Sequence, residues 1–137
     1  MFASPRSAAA SYRALDVQTR VDGADPHQLV EMLYDGALLQ VAKARHALAN
    51  QDVAGKGEAT TRAIRILDEG LKAALDARAG DVARNLDALY DYLNRTLVKA
   101  NMKNDDNLYR EVEKLLGELR GAWREIGPKV RAEAVAA

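Results

Sequence analysis

The sequence contains no cysteine. Disulfides, thiolate nucleophiles and cysteine zinc sites are thereby excluded. Aromatic residues make up only 5% of the chain, with one Trp and one Phe. β-branched residues are few beside Ala and Leu, so the composition that favours sheets is missing. An excess of one charge is missing too: Lys plus Arg is 20, Asp plus Glu is 20, and the formal net charge is zero. That balance argues against a nucleic-acid binder and against a polybasic membrane anchor. No apolar run approaches the ~20 residues that span a bilayer, so no stable membrane insertion is expected. Met1 to Ser11 carries only Arg6 and no hydrophobic stretch of secretory-signal length. The expected compartment is the cytoplasm.

What remains is 137 residues, enough for one domain, of which 48% are hydrophobic. This aliphatic content favours helix, and its spacing predicts four helices.

Residues 1–24 read as a flexible arm, in which Tyr12, Leu15 and Val17 could support a short helix or a docked segment. Asp25 then offers an N-cap, Pro26 the first helical position and Gln28 the other half of a capping box. Leu29, Leu33, Ala37, Val41, Ala44 and Leu48 form a helical stripe up to Asn50. A second stripe runs from Ala59 and Ala63 through Leu67, Gly70 and Leu71. A third uses Leu86, Leu89 or Tyr90, Leu93, Leu97 and Ala100. A fourth uses Leu108, Val112, Leu115, Leu116, Leu119, Trp123 and Ile126, with Gly127-Pro128 as its stop. The predicted helices cover about 25–50, 53–76, 81–102 and 105–127, and 128–137 reads as a frayed tail. Short breaks make successive helices antiparallel neighbours. The expected fold is all-α, an up-down-up-down four-helix bundle preceded by the helical or extended arm.

Catalytic signals are missing. His27 and His46 cannot share one helical metal face, and no Glu-x-x-His occurs. Gly55-Lys56-Gly57 lacks the spacing of a phosphate loop and reads as a helix start. No catalytic residue, cofactor or metal is expected. The apolar surplus is more informative. Tyr92 and Val98 in the third helix, Ile64 and Leu75 in the second, and Val30, Leu38 and Leu39 in the first fall beside the core stripes. Together they suggest a groove for a partner helix.

The first helix reads Asp25-Pro26-His27-Gln28-Leu29-Val30, then Met32-Leu33-Tyr34-Asp35-Gly36-Ala37-Leu38. This resembles the SPHxLIxMLYDGAL signature of the flagellar export chaperones, the FliS family. The similarity continues through Gly70-Leu71-Lys72-Ala73-Ala74-Leu75-Asp76 and Asn85-Leu86-Asp87-Ala88-Leu89-Tyr90-Asp91-Tyr92-Leu93. It closes with Ala122-Trp123-Arg124-Glu125-Ile126. Asp25 replaces the usual serine and is an equally good cap. Ala79-Gly80-Asp81 stands where Gly-Gly-Glu is common.

The resemblance implies a cytoplasmic chaperone that binds the disordered C-terminal region of flagellin, prevents premature polymerisation and aids delivery to the export gate. The cytoplasmic domain of that gate and regulators of flagellar assembly are further implied partners. Candidate groove residues are Ile64, Leu71, Leu75, Leu86, Tyr90, Leu93 and Leu97, with Asn85 and Asn101 offering amides to a guest backbone. For Leu86 and Leu93 a pure core role stays open. Tyr12 and Leu15 are candidates for an arm that shields the groove. Pro26, Leu33, Asp35, Gly36 and Trp123 are the structural signature. The free chain is expected as a monomer or weak homodimer. The competing reading is a self-associating helical adaptor without a flagellin client.

Overall fold

Asp25 caps the first described helix. Its carboxylate accepts a 2.8 Å bond from the Gln28 backbone N–H, and its own N–H donates to the Gln28 side chain. This capping box, with Pro26 at the first turn, starts helix α1 (Pro26–Ala49). The computed structural model describes residues 25–136, with side chains through Ile126 except Ala77. Tyr12, Leu15 and the rest of the predicted arm lie outside the described residues.

Helix α1 ends where Asn50 caps it and Gln51 turns left-handed. Asp52 accepts from the Gly55 N–H and caps helix α2 (Val53–Arg65). The chain then widens into a π-helical segment over Ile66–Lys72. A 3-10 turn at Ala77–Ala79 and positive-φ Gly80 lead into helix α3 (Asp81–Lys103). Asn104 takes the left-handed conformation that stops α3. Helix α4 (Asp106–Ala136) follows and continues past Gly127-Pro128, where the sequence predicts a stop. Pro128 lies inside this helix and forfeits the backbone bond to the Arg124 carbonyl; Arg124 is exposed, so that carbonyl can turn to water.

Each helix packs on the one before and the one after it, and α4 closes the ring on α1. All elements among the described residues are helical, and the architecture is the four-helix bundle that the stripes predict. The core holds Val41, Leu67, Leu71, Leu93, Leu97, Val112 and Leu116 with three tyrosines, Tyr34, Tyr90 and Tyr109. Each tyrosine hydroxyl needs a partner there, and both diagonals of the bundle supply one. Tyr34 on α1 meets Tyr90 on α3 with the oxygens 2.6 Å apart. Thr60 on α2 meets Tyr109 on α4 at 2.7 Å. Burial pushes the titration of all three phenols upward.

The fourth stripe overreaches at the bundle end, where Ile126 is exposed; Val82, at the start of α3, is exposed too. Lys56 gains a role that sequence reasoning leaves out. It is buried, and its ammonium donates to the Asn101 carbonyl at 2.8 Å and to the Asn104 side chain. The lysine thus caps the negative end of α3 and ties it to the start of α2.

Candidate functional site

The concave apolar surface of the bundle lies where α1 meets the π-helical segment. Gly70 makes this contact possible: a Cβ there would stand 2.8 Å from Leu33 Cδ2. The missing side chain lets Leu33 lie against the backbone. Beside this contact opens a cleft of about 290 Å³. Leu29, Val30, Met32 and Leu33 form one wall, and Glu69, Gly70, Ala73 and Ala74 form the other. Its size suits one or two aliphatic side chains of a guest.

The π turn shapes the second wall. Closing i to i+5 widens the helix and breaks the usual i,i+4 alignment. The Asp68–Lys72 pair that helical spacing predicts does not form. Lys72 instead crosses to α3, 2.7 Å from Asp91 and 3.5 Å from Asp87. These carboxylates hold the lysine above its ordinary range, the hydrogen bond to Asp91 contributing most. Asp68 takes a 2.7 Å bond from Asn94. The π segment is thus fastened to α3 by polar bonds while its other flank faces the cleft.

The predicted groove residues separate into two sets. Leu71, Tyr90, Leu93 and Leu97 lie in the core, each 0–2% exposed. A partner resting on the folded surface does not reach them. Ile64, Leu75 and Leu86 are half-buried and pack against that core from outside. Asn85 is exposed. Asn101 is half-buried, and its carbonyl is taken by Lys56. The helical stripe fixes which residues share a face but not how deep that face sits, because depth depends on the neighbouring helix.

The signature residues hold the α1–α4 seam. Asp35 pairs with Arg120, and Glu31 pairs with Arg124 at 2.6 Å. The hydrogen bond from Arg124 is the main cause that holds the Glu31 carboxyl below its usual range. One helical stretch further on, Arg45 pairs with Asp106 and Glu113 at 2.8 and 2.9 Å. Trp123 stacks on His27 with centroids 4.5 Å apart. Gly36 is buried within α1.

Sequence reasoning leaves Leu29, Met32 and Glu69 out of the site. The signal was present: apolar residues at 29, 30, 32 and 33 span more of the helix than one core stripe needs.

A second groove, about 540 Å³, lies between the end of α1 and the start of α2. Lys43, His46, Asn50, Glu58 and Arg62 make it polar. No helix among the described residues is long and apolar enough to cross a membrane. No group of three or more His, Cys, Asp or Glu among them is placed to hold a metal ion.

Comparison with known proteins places this geometry in context. A family profile described as "Flagellar protein FliS" matches residues 8–130. A Salmonella typhimurium protein named flagellar secretion chaperone FliS is 48% identical over 120 residues, covering 87% of this chain and 89% of its own. The protein of that name from Escherichia coli is 37% identical over 116 residues, covering 84% and 85% of the two chains. The one from Bacillus subtilis is 37% identical over 108 residues, covering 79% and 80%.

Proposed function

The chain belongs to the FliS family of flagellar secretion chaperones, and on that premise we propose that it binds the C-terminal segment of flagellin in the cytoplasm and holds it unpolymerised for export. The observation that carries this reading is the apolar cleft between α1 and the π segment; half-buried Ile64, Leu75 and Leu86, packed on the core from outside, add aliphatic surface elsewhere on the bundle. A segment that is amphipathic once folded has an apolar face that would otherwise seek other copies of itself. Laying that face on an aliphatic surface removes it from water at ~25 cal/mol per Å². Ordering the guest takes back several kcal/mol, so binding is firm but reversible. The aliphatic lining is tolerant in shape, as suits a guest that folds on contact. The export gate and flagellar regulators are further partners implied by the family.

The test is a calorimetric titration of the full chain with a flagellin C-terminal peptide. A one-to-one complex is expected. Leu75→Glu with Leu86→Glu should abolish it while the helical circular dichroism persists. An absence of binding by the unsubstituted chain refutes the proposal.

A further inference from the structure

The apolar cleft contains one charged residue among those described, Glu69. Its Oε2 is shielded from solvent and receives no hydrogen bond. The sequence supplies two cations at ordinary helical distance, Arg65 four residues before and Lys72 three residues after. Neither donates to that oxygen. The π turn over Ile66–Lys72 displaces the i,i+4 position of Arg65. Lys72 is committed to Asp91 and Asp87 across the α3 interface. A buried acceptor without a donor is costly, and the cost is greatest for a charged one. The helix that carries Glu69 is held in this state by bonds on its other flank.

We propose that Glu69 is the charge-selective contact of the cleft, and that it takes a Lys or Arg side chain from the guest segment. The guest chemistry is an amphipathic helix with an aliphatic residue for the Leu29–Leu33–Gly70 floor and a cation one turn away along the same edge. The apolar wall excludes water from the pair, so the charge-assisted bond is stronger than one on the open surface. The contact decides which segment binds and in which direction it lies. It explains how an aliphatic cleft that fits many helices discriminates among them. This inference rests on the flagellin-chaperone reading.

The experiment titrates the full chain and its Glu69→Gln variant with the flagellin C-terminal peptide at several salt concentrations. The unsubstituted chain should bind more weakly as salt rises. Glu69→Gln should bind ~10-fold more weakly at low salt and lose most of that salt dependence. Thermal melts check that the variant folds. A reversal arm pairs Glu69→Lys with peptides in which each Lys or Arg is changed in turn to Glu. One such peptide should recover binding to Glu69→Lys and to no other form. Equal affinity and equal salt dependence for Glu69→Gln would overturn the inference while leaving the chaperone reading intact. Weaker binding with unchanged salt dependence would show a neutral donor and overturn it too. No complex with the unsubstituted chain overturns both.

Discussion

Trp123 on α4 holds His27 on α1 twice. Its indole N–H donates to the His27 carbonyl at 2.9 Å, and its ring lies 7° from parallel with the imidazole. The capping box already satisfies the start of α1, and α4 reaches over to fix its first turn in place, the indole adding a second donor to a carbonyl within the helix. Trp123→Ala removes both contacts and a half-buried ring, and should cost about 2–4 kcal/mol in urea unfolding. Trp123→Phe keeps the stack but not the bond, and should cost about 1 kcal/mol. A Phe variant as stable as the unsubstituted chain would show that the bond contributes nothing.

The Tyr34–Tyr90 hydroxyl pair should behave as a unit. Either Phe variant alone leaves one buried hydroxyl without its partner and should cost about 1–3 kcal/mol. The double Phe variant should cost less than the sum of the two. Chemical denaturation of the four proteins gives the coupling directly, and additive losses would mean that the hydroxyls do not interact.

Gly70→Ala tests the close approach of α1 to the π segment. The added Cβ meets the end of the flexible Leu33 side chain, so the chain should fold while Leu33 shifts into the cleft. Flagellin-peptide affinity should fall by more than stability does. Leu33→Ala in the same chain should restore part of the affinity, as measured by calorimetry.

Acid should loosen the α1–α4 seam. Arg124 holds Glu31, and Arg45 holds Asp106, below the usual carboxylate range, in each case chiefly by a hydrogen bond. A depressed carboxyl stabilises the fold above its unfolded value of about 4 and loses that contribution as pH falls through the folded value. Both pairs are partly solvated, so each is worth no more than about 1 kcal/mol. The drop in Tm between neutral pH and about pH 3 should therefore be smaller in an Arg45→Met, Arg124→Met double variant.

Alkali acts through the core instead. The Tyr34, Tyr90 and Tyr109 phenols are all raised, with burial the main cause. A raised phenol stabilises the fold below its unfolded value of about 10 and loses that contribution as pH rises further. Ultraviolet titration should show these three ionising only as the bundle unfolds, in one cooperative step.

Local rules determined much of this protein. The Asp25–Gln28 capping box, the four aliphatic stripes and the breaks at Asn50 and Asn104 follow from propensity and periodicity, which depend on residues a few positions apart. The sequence also marked Ile64 and Leu75 as neighbours of the core face and put Leu86 on the core stripe itself. It did not determine their depth relative to Leu71 and Leu93. Those residues share the same periodicity, and only the packing of α2 and α3 against each other separates buried from half-buried.

Three further features depended on tertiary structure alone. The π turn over Ile66–Lys72 is not announced by local spacing, which reads there as ordinary helix. Lys56 becomes a cap for α3 only because a distant helix ends beside it. Glu69 lacks a donor because Lys72 finds two carboxylates across an interface. Short-range geometry made the helices; long-range competition for partners decided which groups remain for another molecule.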